Sequence, residues 1–217
     1  MIERIHWLGR SSFRINGPPH TDGTVIYIDP WKLPAGSPPA DLILVSRDHF
    51  QNCSPDDIAR IRTEHTVILG SQRVAERLGG GVQVLRPWGG SYRVGDVSVT
   101  AVPAYSTRHA YYGKSTGGLG FIISLMHHDI YYAGATELIP EMEKIGCDIA
   151  LLPVGGEYTM QLEDALEAVR RIRPYYVVPI TFDSPRMVAQ NMGRRFCNMV
   201  NGGSTAVLLP VENDSLA

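Results

Sequence analysis

The sequence lacks several features that would each define a class of protein. It has three cysteines, far apart and without a C-x-x-C pair, which excludes a disulfide scaffold and a zinc knuckle. No run approaches the roughly 20 apolar residues of a membrane-spanning helix. Lys and Arg total 20 against 22 Asp and Glu, so neither a nucleic-acid-binding nor a polybasic surface is indicated. We expect a soluble chain that binds no nucleic acid and no membrane.

Signals for export and for two kinds of catalysis are also missing. The first nine residues carry an acid at position 3 and no long apolar core, so they do not predict a signal peptide. Neither the phosphate-binding G-x-x-x-x-G-K-[ST] loop nor the G-x-S-x-G turn of serine hydrolases occurs. We therefore expect a cytoplasmic protein with reduced thiols, whose chemistry depends on neither motif.

The chain has what a folded, turn-rich protein needs. Of its 217 residues, 44% are hydrophobic, and 22 glycines with 15 prolines predict many turns between short strands. Alternating strands fill the first half, and strands and helices follow in turn with no repeat and no linker. This pattern predicts one domain over residues 1–217, with two packed sheets and helices outside them.

One strand runs directly into a polar turn and a capped helix. The apolar strand 42–45 is followed by Ser46 to Asn52, and then by Ser54 and Pro55, which predict a helix start. Loops at strand ends carry much of the chemistry of folded proteins. A second candidate is the polar loop 105–118, because long loops without structure are usually functional.

Ser46 to Asn52 resembles the (T/S)-H-x-H-x-D-H signature of the metallo-β-lactamase superfamily, in its lactonase-like "Zn-dependent hydrolase" branch. Further segments resemble that branch in the same order: 5–13, 28–31, 102–105, 117–121, 130–137, 149–160 and 174–182. The resemblance implies an α+β fold, a four-layer αββα sandwich. It also implies a site at one edge of the two sheets, where paired zinc or manganese ions generate a hydroxide.

Non-ligating residues stand at most of the ligand positions that the resemblance implies: Arg47, Gln51, Asn52, Ala135 and Thr181. Only His49 is retained. Arginine has no lone pair to donate, amides are weak zinc ligands, and alanine removes the carboxylate that would bridge two metals. Because zinc needs at least three protein ligands, we predict a degenerate site with no bound metal.

Arg47 itself has two interpretations. It could form a structural ion pair that fills an inactive site, with Asp48, Glu137 or Asp183 as the partner. Alternatively, its fixed positive charge could make the cleft an anion-recognising pocket.

The other cleft positions also have two interpretations each. Asp29 fits the family's I-D-P segment, where it supports the site from behind, or it is a turn residue before a proline. Aromatic side chains that could line the same cleft, or be exposed loop residues, are Tyr105, Tyr111, Tyr112 and Tyr158. Among the other histidines, only His109 is a site candidate.

Three functions follow. The first is a non-metallated pseudo-hydrolase that binds a small molecule, such as a small anion. The second is an active hydrolase of an ester, lactone or phosphoester, with one zinc or manganese ion held by His49, His109 and Asp183 or Glu137. The third is a structural subunit of an assembly, and an oligomer is compatible with each.

Overall fold

The computed structural model describes residues 1–18, 23–180 and 186–212, and for residues 186–190 it describes the backbone alone. One sheet contains β1 (Ile5–Gly9), β2 (Ser12–Asn16), β3 (Val25–Ile28), β4 (Leu42–Val45), β5 (Val67–Gly70) and β6 (Gln83–Val84), side by side in that order. The other contains β7 (Ser91–Val94), β8 (Val97–Pro103), β9 (Leu119–Leu125), β10 (His128–Tyr132), β11 (Ile149–Pro153), β12 (Tyr176–Ile180) and β13 (Thr205–Ala206), also in chain order.

Helices cover the outer face of each sheet. The α-helices of the described residues are α1 (Pro55–Ile61), α2 (Gln72–Leu78), α3 (Leu162–Ile172) and α4 (Arg186–Met199). Helices α1 and α2 bury Ile58 and Val74 against the first sheet, and α3 buries Val169 against the second. The predicted four-layer αββα sandwich is confirmed. None of the described helices is long and apolar enough to cross a membrane.

The main core lies between the sheets, where the inward-facing residues of both sheets meet. Phe13 of the first sheet meets the edge of Tyr132 of the second, with ring centroids 6.2 Å apart. Tyr132 also stacks on Phe121 at 6.4 Å. A buried tyrosine hydroxyl needs a hydrogen-bond partner, and that of Tyr132 finds one at the edge of the sandwich.

Two predicted boundaries were wrong. The alternation of residues 2–8 predicts a strand from Ile2, but Ile2–Arg4 forms a 3-10 turn and the strand begins at Ile5. The polar run His127-His128-Asp129 predicts a hairpin turn, but Met126 and His127 form it, with φ of 54° and 61°. A two-residue turn with two positive φ values matches the twist of the strands better than a longer turn, so His128 already belongs to β10.

The run Ala206 to Pro210 predicts a last strand, and the structure differs there as well. Strand β13 covers only Thr205–Ala206, and the chain then crosses to the first sheet. There Val211 pairs with Trp7, and the amide of Glu212 donates to the carbonyl of Trp7 at 2.9 Å. Pro210 has no amide to donate, so it cannot extend the ladder of β13. The C-terminal segment thereby joins both sheets.

The fold brings the carboxyl ends of several strands to one edge of the sandwich. Strands β3 and β4 are parallel in one sheet, and β10, β11 and β12 are parallel in the other. The amide of Leu119 donates to the carbonyl of Ser46 at 2.9 Å and links the two sheets at this edge. The signature turn therefore lies beside the start of β9 and the end of β10.

Candidate functional site

Asp29 is the centre of a fully buried polar network at this edge. Its carboxylate accepts hydrogen bonds from the amide and the hydroxyl of Ser46 at 2.7 and 2.6 Å. It also accepts from Asn52 Nδ2 and from the Tyr132 hydroxyl, both at 2.7 Å. Burial raises the pKa of the Asp29 carboxyl to about 6, although these hydrogen bonds oppose the rise. At neutral pH the carboxylate is therefore mostly ionised, and the ionised form can accept all four of these hydrogen bonds.

Asn52 is turned inward by the same network. Its Nδ2 faces the Asp29 carboxylate and lies 3.3 Å from the hydroxyl of Ser11. An amide nitrogen that donates in this way has no lone pair to offer a metal. Gln51, the neighbouring position, is half-buried.

Arg47 occupies the buried part of the site. Its side chain is only 2% exposed, and its Nη2 donates to the carbonyl of Ala104 at 3.1 Å. Its Nη1 donates to Thr116 Oγ1 at 2.8 Å, and its Cζ lies 4.8 Å from the ring centre of Tyr112. Burial lowers the pKa of the guanidinium, and nearby Tyr112 and Asp48 oppose the change. Arg47 is thus a buried cation surrounded by neutral oxygens and a ring.

The expected ion pair between Arg47 and Glu137 is not formed. Among the described residues, no carboxylate lies within 4.0 Å of the Arg47 guanidinium. Glu137 instead pairs with Arg108 Nε at 2.7 Å and accepts bonds from Ser106 and Thr107. Although burial raises the pKa of the Glu137 carboxyl, the hydrogen bonds from Ser106, Arg108 and Thr107 outweigh it and lower the value to about 2. Glu137 therefore anchors the loop that begins at residue 105.

Rings line the rest of the cleft. We call the following residues the ring cluster: His49, Phe50, His109, Tyr111, Tyr112 and Tyr158. His49 contacts Phe50 and Tyr111, with centroids 4.4 and 6.0 Å apart. His109 contacts Tyr158 at 4.4 Å, and its buried Nδ1 has no hydrogen-bond partner among the described residues.

The predicted site residues divide into those that meet and those that do not. Asp29, Arg47 and Asn52 come together, and Arg47 contacts the ring cluster through Tyr112. Tyr105 does not join the rings, because it is buried beneath the site and its hydroxyl donates to Glu141 at 2.9 Å. Ala135 is buried in the core. Thr181 and Asp183 lie outside the described residues.

The side chains present do not fit a pair of metal ions. The guanidinium of Arg47 and the methyl group of Ala135 stand at two of the ligand positions, and Asn52 donates its amide to Asp29. In the part of the chain that the structure describes, no three His, Cys, Asp or Glu side chains lie close enough to hold an ion. The described residues therefore do not form a paired-metal site.

Sequence reasoning missed three groups that build the site. Ser106, Thr107 and Arg108 hold Glu137, and a run of hydroxyls beside an arginine at a strand end was the available signal. Thr116 accepts a hydrogen bond from Arg47, and Gly118 leaves room for the guanidinium. Neither has a local sequence signal, since each contact spans about 70 residues.

A cleft at the strand ends of an αββα sandwich defines the metallo-β-lactamase type of fold. The family model for the beta-lactamase superfamily domain matches residues 4–181. The UPF0173 metal-dependent hydrolase of Thermoplasma acidophilum is 31% identical over 95% of each chain, and that of Thermus thermophilus is 33% identical over 85% of each. This chain therefore belongs to the UPF0173 metal-dependent hydrolase family, and the predicted superfamily is confirmed.

Solved structures share the fold. A protein from Parabacteroides distasonis aligns with a TM-score of 0.81 at 26% identity, covering 94% of this chain and 91% of that one. Igni18, a metallo hydrolase from Ignicoccus hospitalis, aligns with a TM-score of 0.73 over 94% of both chains. Its identity of 24% shows the fold alone.

Proposed function

We propose that this chain works without the paired metals of its superfamily, and that its cleft binds a small anion through Arg47. The observation that carries the proposal is the buried guanidinium of Arg47, which has no carboxylate partner within 4.0 Å among the described residues. Burying a cation without a counter-ion is costly, and a bound anion would offset that cost.

The Asp29 network supports the proposal through Asn52. It holds the signature turn through Ser46 and Asn52, with hydrogen bonds of 2.6 to 2.7 Å. The side-chain nitrogen of Asn52 is thereby committed to a carboxylate and is not available to a metal. A buried network whose carboxylate accepts four hydrogen bonds keeps this arrangement rigid.

Positive charge at the rim supports an anionic ligand. Arg10 Cζ lies 5.3 Å and Lys32 Nζ 4.7 Å from the ring centre of Trp31. This group is close to the site, because Arg10 precedes Ser11, which contacts Asn52, and Trp31 follows Asp29 by two residues. Cations around a cleft raise the local concentration of anions.

A hydrolase with one rebuilt metal is the second candidate. The relatives are named metal-dependent hydrolases, and the buried Nδ1 of His109 has no hydrogen-bond partner among the described residues, so it could serve as a nitrogen ligand. Glu137 weakens this candidate, because its carboxylate already accepts bonds from Ser106, Thr107 and Arg108.

Metal content separates the two candidates. The protein is purified without chelator from medium supplemented with zinc and manganese, and its metals are measured by elemental analysis. We expect less than about 0.1 ion per chain, because fewer than three ligands converge. Near-stoichiometric metal that His49→Ala removes, and that His65→Ala leaves, contradicts the proposal. His65 is the control because its side chain is 86% exposed.

Anion binding is measured separately with acetate and inorganic phosphate, by calorimetry and by thermal shift. We expect binding of at least one of them to the wild type, weakened at least about tenfold in Arg47→Gln and partly kept in Arg47→Lys. If neither of these two anions nor benzoate binds, the anion proposal fails. A cytoplasmic location remains a prediction of the sequence, and an oligomer is compatible with it.

A further inference from the structure

We infer that the ligand of this cleft is a small aromatic carboxylate, with its carboxylate on Arg47 and its ring against the ring cluster. The inference rests on the proposed anion site and adds the chemical class of the ligand. It combines three features of the described residues: exposed rings, a buried cation beside them, and a polar atom without a partner.

The exposed rings provide the apolar part of the site. Phe50 is 55% exposed and Tyr111 is 49% exposed, and both contact His49. Phe50 and Tyr111 thus form one exposed aromatic patch, and exposed apolar patches mark binding surfaces. Flat rings stack best on another flat ring, so an aromatic group gains more here than an aliphatic group of equal size.

The cation lies directly against these rings. Arg47 Cζ is 4.8 Å from the ring centre of Tyr112, which itself contacts Tyr111 at 5.2 Å. The guanidinium is nearly fully buried, but the bond from its Nη1 to Thr116 is only partly buried, whereas the bond from Nη2 to Ala104 is fully buried. A ligand oxygen can therefore take the place of the Thr116 hydroxyl.

The unpartnered atom provides a second polar contact. His109 Nδ1 is buried without a hydrogen-bond partner among the described residues, and its ring lies 5.8 Å from Tyr112. Arg47 and His109 thus contact the same tyrosine. A planar carboxylate matches the planar guanidinium. One of its oxygens can accept a hydrogen from the imidazole once the side chains that cover this buried nitrogen move aside.

Four probes separate charge from shape. Benzoate, its neutral analogue benzamide, acetate and inorganic phosphate are titrated into the full chain, with calorimetry and protein NMR as readouts. We expect benzoate to bind at least about tenfold more tightly than benzamide, because of Arg47, and than acetate, because of the rings.

Variants locate the two contributions. In Phe50→Leu/Tyr111→Leu, the preference for benzoate over acetate falls at least about threefold while acetate binding stays unchanged. Tyr175→Leu is the control, because Tyr175 is 70% exposed and precedes β12 at the opposite end of the sandwich. It should leave all affinities unchanged.

The outcomes are distinguishable. If acetate or phosphate binds as tightly as benzoate, the ligand class is wrong while the anion site stands. If benzamide binds as tightly as benzoate, Arg47 does not select a carboxylate and the inference fails. If none of the four probes binds, both the inference and the anion proposal fail.

Discussion

The guanidinium of Arg47 occupies the space that a side chain at position 118 would fill. An ideal β-carbon on Gly118 would lie 2.1 Å from Arg47 Nη2 and 2.6 Å from the carbonyl oxygen of Ala104. The buried guanidinium therefore requires a residue without a side chain at position 118. The two residues are 71 positions apart in the chain, so this requirement exists only in the folded protein.

The variant Gly118→Ala should displace Arg47 from Ala104. We expect the free energy of unfolding to fall by about 1–3 kcal/mol, because overpacking at a buried site forces side chains and backbone to shift. Urea unfolding measures the change. Gly146→Ala is the matched control, since nothing lies within 4 Å of an added β-carbon there. An unchanged stability for Gly118→Ala would contradict the buried position of Arg47.

Asp29→Asn should change how stability depends on pH. The Asp29 carboxyl has a pKa of about 6 in the folded chain against 3.8 as its ordinary value, because it is buried. The folded state thus holds this proton more tightly between about pH 4 and 6. The stability contributed by Asp29 is greatest below that window and falls by up to about 3 kcal/mol as pH rises through it.

The variant lacks this titration, so the difference in unfolding free energy between wild type and Asp29→Asn should narrow from pH 4 to pH 7. At pH 7 we still expect the variant to be about 1–3 kcal/mol less stable. The NH₂ group of the new asparagine would face hydrogen-bond donors of Ser46 and Tyr132, which would then lose an acceptor. Urea unfolding at several pH values tests both points. A difference that widens with pH would refute the assignment.

Glu137→Gln should loosen the start of the 105–118 loop. The variant loses a charged acceptor for Arg108 and for Thr107, which costs about 1–3 kcal/mol for partly buried groups. Hydrogen exchange of the Thr107 and His109 amides should accelerate, because the first donates to Glu137 and the second to Ser106. Glu64→Gln is the control, with a side chain that is 85% exposed.

The pH dependence of Glu137 has the opposite sign to that of Asp29. Its pKa is lowered from 4.5 to about 2, since the bonds to its charged form outweigh burial. Its contribution is therefore complete above about pH 4.5 and is lost as the pH falls toward 2. The deficit of Glu137→Gln should shrink over this acidic range, and a constant deficit would count against the network.

Restoring the ligand positions should restore metal binding. A variant with Arg47→His, Gln51→Asp, Asn52→His and Ala135→Asp would place three imidazoles, with that of His49, and two carboxylates at the site. We expect at least about one zinc per chain, since three protein ligands are enough. Circular dichroism first checks that the variant folds. A folded variant that binds no zinc, or binds it equally after His49→Ala, shows that these positions do not form the site.

Much of the architecture could be predicted from the sequence. Apolar runs such as 42–45 and the helix signals at Ser54 and Pro55 are local, and the order of the motifs gave the fold class. The residue types at 47, 51, 52 and 135 already excluded most metal ligands, since donor chemistry depends on the residue alone. Boundaries failed where tertiary geometry decides them, as at the turn of Met126 and His127.

The partners of the polar side chains could not be predicted. Sequence proximity made Asp48 a plausible partner for Arg47, and the resemblance did the same for Glu137. In the structure Glu137 binds Arg108, and Arg47 binds Thr116 and Ala104. Asp29 accepts a hydrogen bond from the hydroxyl of Tyr132, which is 103 positions away in the chain. The sequence by itself determined the fold and the residue types at 47, 51, 52 and 135, because both depend on local pattern and residue chemistry. Only the tertiary structure decided what fills the site, because hydrogen-bond partners are chosen among groups that meet after the two sheets have packed.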